Sequence, residues 1–246
     1  MRSPVLDELL PGLGPEQLRS LARDVPFELG SDLEDLYAWR NGTNDSKPGV
    51  PALFPGGLFL RAQAAVAEYG ERVKAARQVA PDDQLAAEIY HPRWFPVFLD
   101  AGGSVHVVEL SEEDRGTVWF VPLEEPDLRF RAAPSLARLI EFVVACYERG
   151  AYFIRADGRD VDVDLKLEAE IARQRLDPAP NVAALVHEVA SLDSTAASRA
   201  FDAIRRLRFP EAVPHLTGLL DHDDPGVRRR AGLLLDILKQ DHSAAR

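Results

Sequence analysis

At 246 residues the chain is long enough to bury a sizeable core, as one large domain or two small ones. Forty acidic residues against 29 basic give a formal charge of -11, which opposes nonspecific attachment to nucleic acid or anionic lipid. The single cysteine, Cys146, excludes an internal disulfide and a multi-thiolate metal site.

MRSPVLDELLPGLG lacks the basic start and long apolar run of a secretory signal, and no 18-residue apolar stretch follows. The expectation is a soluble, cytoplasmic protein in a reducing compartment. After Pro15, EQLRSLARDV has helical spacing through Leu18, Leu21 and Val25, with proline in the first turn. Ser31 is placed to cap a second helix, SDLEDLYAWRNG, with Glu34 at the capping-box position and Asn41-Gly42 as its stop. The polar run NGTNDSKPG reads as a loop. ALFPGGLFL reads as extended, and RAQAAVAEYGERVKAARQV as a long helix that Gly70 weakens without breaking. Pro81-Asp82-Asp83 allows a turn.

Trp94 to Leu99 has the apolar composition of a strand, and Pro96 points to an edge position or a strand start. Asp100-Ala101-Gly102-Gly103 reverses the chain into VHVVEL, and SEEDRG reverses it again into TVWFVPL, predicting an antiparallel meander. EEPDLRFRAAP reads as an acidic loop. Ser135 is placed to cap LARLIEFVVACYERG, a helix apolar on more than one side. Together these predict an α+β unit whose sheet has one face against helices. Beyond DGRDVDVDL, KLEAEIARQRL resumes helical character, and DPAP is a credible hinge before NVAALVHEVASL. ASRAFDAIRRLRF, PEAVPHLTGLLDH and DDPGVRRRAGLLLDILKQ read as three successive short helices.

The helix ending LYAWRNG, the segment LFPGGLFL before a helix, the strand pair around WFPVFLDAGGSVHVVEL and the closing SLARLIEFVVACY resemble the SUKH superfamily, which includes the domain of the Smi/Knr cell-wall assembly regulators. The similarity runs from Pro15 to Phe153. It implies a compact α+β module that binds proteins: bacterial relatives are interpreted as immunity proteins that occupy toxin domains, and fungal relatives scaffold signalling. The family pattern puts emphasis on Trp39, Asn41 and Gly42, and on Trp94, Pro96, Asp100, Gly102 and Gly103. The turn here, AGGSVHVV, departs from the more polar glycine-aspartate turn of many relatives. AFDAIRRLRFPEAVPHLTGLLDHDDPGVRRRAGLLLDIL resembles a HEAT-like repeat, whose helices need neighbours to complete their core. The expected organisation is a SUKH-like mixed helix and antiparallel-sheet domain over 1–156, a connecting segment over 157–180, and a C-terminal all-α HEAT-like extension over 181–246.

Trp39 has two readings, a core residue or an interface anchor. The turn at Asp100, Gly102 and Gly103 is either a folded hairpin or a partner-facing site. Glu109, Glu112, Glu113, Asp114, Glu124, Glu125 and Asp127 are matched only by Arg115 before Arg129. They form a solvated face or steer a cationic partner such as a basic toxin domain. Asp157, Asp160, Asp162 and Asp164 fail the calcium-loop pattern, because Leu165 and Ile171 fall where glycine and the final glutamate belong. The six histidines carry no zinc spacing, and Cys146 and the serines lack the context of a nucleophile. No metal, cofactor or catalytic residue is expected. Arg205, Arg206, Arg228 and Arg229 are the alternative, a polyanion-binding patch, against local pairing with nearby aspartates. The leading expectation is a noncatalytic protein-binding module, an immunity protein among the possibilities. A two-surface regulatory scaffold and, after it, nucleic-acid binding through the tail are the alternatives.

Overall fold

The computed structural model describes residues 4–44, 52–80, 82–124, 126, 129–155, 160–176, 182–191, 194–207, 209 and 211–243. By contact the chain divides into two compact units, Met1–Val163 and Asp164–Arg246. The first is mixed helix and sheet; the second is helical among its described residues.

The first unit opens with α1 (Pro4–Asp7), β1 (Leu9–Pro11) and α2 (Pro15–Leu21), followed by α3 (Ser31–Trp39) and β2 (Arg40–Thr43). Proline opens α2 as the sequence predicts, but the helix stops at Leu21, and Val25, Phe27 and Leu29 enter the core from the segment after it. Helix α3 starts one residue earlier than expected, at the residue read as its cap. Ser31 is the first helical residue, and Gly30 occupies the cap position without a side-chain bond. Asn41-Gly42 does not close the helix in a left-handed cap. The chain goes straight from Trp39 into β2, which pairs antiparallel with β1, and the Tyr37 carbonyl near the helix end accepts from Leu13 N at 2.8 Å.

Then come β3 (Leu58–Phe59), α4 (Ala62–Val79), α5 (Asp83–Ile89), β4 (Trp94–Leu99), β5 (Val105–Glu109), β6 (Val118–Val121) and β7 (Phe130–Ala133). Strands β3 to β7 form one five-stranded antiparallel sheet in chain order. The predicted meander is present, with two additions. Helix α5 starts where only a turn was expected, capped by Asp82, whose Oδ1 accepts from Gln84 N and Leu85 N at 2.9 and 3.1 Å. Strand β7 arises inside the expected acidic loop. Pro96 lies within β4 at a register shift, beyond the short reach of β3, so its missing N–H leaves no gap in the ladder.

Every residue of the central strand β5 is buried. VHVVE buries two polar residues, His106 and Glu109, beside its three valines, so it is covered without being uniformly apolar. The core holds Tyr37, Phe59, Phe95 and Phe98, all essentially inaccessible, with Tyr37 and Phe59 rings 5.5 Å apart and Phe27 edge-on to Phe95 at 6.4 Å. Helix α6 (Leu136–Arg149) is capped as predicted by Ser135, whose hydroxyl accepts from Arg138 N at 3.2 Å. The hairpin of β8 (Tyr152–Ile154) and β9 (Val161–Val163) completes the unit.

The second unit comprises α7 (Leu165–Arg175), α8 (Val182–Val189), α9 (Ser194–Leu207), α10 (Ala212–Gly218) and α11 (Pro225–Ser243). Helix α8 packs on α9 and α10 on α11, while α8 meets α10 and α9 meets α11. Ala212, Leu216, Val227, Ala231 and Leu234 are buried there. The 19 residues of α11 make it longer than the short helix expected.

Candidate protein-recognition surface

A meander places successive turns at opposite ends of its sheet, and this separates the residues that the sequence sets close together. The turn after β4, with Asp100, Gly102 and Gly103, lies at one end; the turn after β5, with Glu112, Glu113 and Asp114, lies at the other. The five residues of β5 hold them roughly 16 Å apart at the strand rise.

The first turn is occupied by its own fold. Asp100 Oδ1 accepts from Ser104 N at 2.7 Å, its carbonyl accepts from Gly103 N at 3.1 Å, and Arg72 on α4 donates to the Gly103 carbonyl. Gly103 has φ +84, and a Cβ there would lie 2.9 Å from Leu123 Cδ2. Gly102 packs over the Asp100 carboxylate. Leu123 N donates to Ser104 Oγ at 3.4 Å, which puts the exposed Glu124 at this same end.

Glu109 leaves the acidic surface altogether. It is buried at the end of β5, where it accepts from the indole N–H of its cross-strand partner Trp94 and from Ser111 N at 3.0 Å, with His91 Nδ1 at 3.6 Å. The seven carboxylates counted along the sequence therefore do not form one face: Glu109 is in the core, Glu112 to Asp114 and Glu124 sit at opposite ends, and Glu125 and Asp127 lie outside the described residues.

Glu112, Glu113 and Asp114 are all exposed, and their turn is anchored by backbone bonds, Gly116 N to Glu109 O at 2.8 Å and Thr117 N to Asp114 O at 3.0 Å. Arg115 extends from this turn to the start of α3, where its Nη1 comes within 3.7 Å of the place a Gly30 Cβ would take. The acidic turn thereby adjoins a helix whose outward stripe is Asp32, Asp35 and Trp39. These residues sit at i, i+3 and i+7, on one side of a 3.6-residue helix, while Leu33, Leu36 and Tyr37 face the core. Trp39 is 45% exposed, and the Arg40 guanidinium stacks over its ring at 5.7 Å. Asp32 and Asp35 were not singled out from the sequence. Their helical spacing relative to Trp39 was visible, but the approach of Arg115, some eighty residues later, to the start of their helix was not.

Asn41 serves the scaffold: its Oδ1 accepts from Ala62 N at 2.9 Å, capping α4. Gly42, φ +79, lets β2 approach the backbone of Leu60 and Arg61, since a Cβ would lie 2.5 Å from Arg61 N.

Asp160 and Asp162 flank Arg155 at 3.8 and 3.2 Å, and Asp164 caps α7; Asp157 lies outside the described residues. The backbone bond from Val163, then Arg155, holds the Asp162 carboxyl below its usual range. Among the described residues no group of three His, Cys, Asp or Glu is arranged to hold a metal. His106 is buried against the rings of Phe54, Phe98 and Phe120, and Cys146 is buried in α6. Arg205 bonds Asp202 at 3.0 Å, and Arg228 donates to the His222 and Asp223 carbonyls at 2.6 and 2.9 Å. Arg229 is exposed on α11, and the Arg206 side chain lies outside the description. No described helix is long and apolar enough to cross a membrane. No protein-family model matches the sequence, and no curated protein does.

Proposed function

We propose that the chain is a noncatalytic protein-binding module, a SUKH-like domain with a HEAT-like helical extension, that takes a basic protein partner on the face formed by α3 and the turn after β5. The observation that carries this reading is the approach of Arg115, from the turn of Glu112, Glu113 and Asp114, to Gly30 at the start of α3, the helix that carries the exposed Asp32, Asp35 and Trp39. The acids steer a cationic partner, and the half-exposed indole supplies an anchor of the kind that dominates interface energetics. Occlusion of a basic toxin domain, as an immunity protein, is the form of this activity that the family resemblance suggests.

The test is affinity capture from the native lysate at moderate salt with three baits: wild type, the triple charge reversal Glu112→Lys, Glu113→Lys, Asp114→Lys, and Trp39→Ala. A stoichiometric basic partner held by wild type and lost by both variants supports the face. A partner retained by both variants places recognition elsewhere, and no partner from a folded bait removes the reading. A regulatory scaffold with a second binding surface is favoured by one observation, the exposed Leu220 and Leu233 on the helical unit, which has its own core.

A further inference from the structure

Between α4 and α5 the first unit holds an open cleft of about 240 Å³ that plays no part in the recognition face described above. Its walls are small because Ala76 on α4 faces Ala86 and Ala87 on α5, and these methyl groups do not fill the space between the helices. Tyr90 presents its ring to the cleft. Its hydroxyl is engaged with the Trp94 carbonyl at 3.0 Å, so the ring contributes apolar surface rather than a polar contact. At the rim Arg77 and Asp83 form a loose, largely exposed ion pair at 3.9 Å, longer than a hydrogen bond, into which a ligand bearing both charges can insert.

An apolar cavity with one cation and one anion side by side at its mouth matches one compact ligand chemistry. We infer that this cleft binds a free α-amino acid with an apolar side chain, its carboxylate on Arg77, its ammonium on Asp83 and its side chain between the alanines. The size agrees: about 240 Å³ falls just below the roughly 300–1,000 Å³ of clefts that take drug-sized molecules. A ligand with only a carboxylate leaves Asp83 facing like charge, and one with only an ammonium does the same to Arg77, so the zwitterion is the form that satisfies both.

The test is a two-dimensional NMR titration of the full chain with L-phenylalanine and, separately, L-leucine, glycine and N-acetyl-L-phenylalanine amide. The expected result is saturable shifts confined to α4 and α5 with one of the two apolar amino acids, at an affinity on the order of 1 mM for so small a ligand. Glycine and the capped, uncharged analogue are expected to bind at least about fivefold more weakly. Arg77→Gln and Asp83→Asn, both at exposed positions that leave the fold intact, are each expected to weaken binding by a similar factor, and Ala86→Leu to abolish it by filling the cleft. If the capped analogue binds as well as the free amino acid, or if Arg77→Gln and Asp83→Asn leave binding unchanged, the zwitterion assignment is overturned. The absence of shifts at 10 mM of either apolar amino acid, an excess of about tenfold over the expected constant, overturns the site itself.

Discussion

Trp94 and Glu109 show how one contact reassigns a charged residue. A carboxylate in an acidic stretch of sequence reads as surface, yet here it accepts the N–H of a buried indole across the strand pair and the N–H of Ser111 two residues on. Truncation to Glu109→Ala leaves the indole donor buried without that partner, so a loss of about 1–3 kcal/mol is expected in chemical denaturation, and Glu109→Gln, which keeps the acceptor oxygen, is expected to lose less. Equal losses for the two variants refute the hydrogen-bond account. The glycines of α4 and β2 make a second contrast. Nothing lies within 4 Å of a Cβ at Gly70 in mid-helix, so Gly70→Ala is expected to raise stability by about 0.5–1 kcal/mol. Gly42→Ala, with its positive φ and a backbone nitrogen 2.5 Å away, is expected to cost about 2–4 kcal/mol. Thermal melting of the pair decides the matter, and similar midpoints contradict it.

At the scale of elements, the helix starts that depend on side-chain oxygens follow from sequence chemistry alone. Ser135 opens α6 in this way, and Asp224 accepts from Gly226 N and Val227 N at 2.6 and 3.1 Å at the start of α11; Asp82 opens α5 by the same chemistry where the sequence suggested only a turn. The bond from Val227, then that from Gly226, holds the Asp224 carboxyl below its usual range. A lowered folded value means that its contribution is complete above the unfolded value of about 4 and is lost as pH falls through the lower folded one. Asp224→Asn keeps an acceptor without titrating, so its helical unit is expected to lose less stability than wild type on acidification below about pH 4, followed by circular dichroism. A steeper acid loss in the variant sinks this account. Other elements were hidden. Three-residue β1 has no periodicity to detect, and its partner β2 lies about thirty residues on, where Asn41-Gly42 looks like a helix stop. Strand β7 is masked by the charges around FRAA, whereas β4, β5 and β6 were legible because turn residues bound each apolar run.

For the whole molecule, the proposed recognition face and the core are distinct sets of residues. Asp32, Asp35, Glu112, Glu113 and Asp114 are all exposed, so reversing their charge is expected to change stability by no more than about 0.5 kcal/mol while removing partner capture. A variant that unfolds shows these residues to be structural. Because each unit has its own core, residues 1–163 alone are expected to melt in one cooperative transition with the tryptophan environment intact. A broad, noncooperative melt contradicts an independent unit.

Short-range chemistry was enough to place the meander, the α4 and α6 helices and the helical second half, since caps, turns and apolar spacing act within a few residues of themselves. It also marked Trp39 and the acidic turn as residues with more than one reading. Which acids share a surface was set by long-range packing: the alternation of turns sends Asp100 and Glu112 to opposite ends of the sheet, Trp94 draws Glu109 into the core, and Arg115 carries its turn to α3. The physical reason is that charge repels or attracts through space, whereas a sequence orders residues only along the chain.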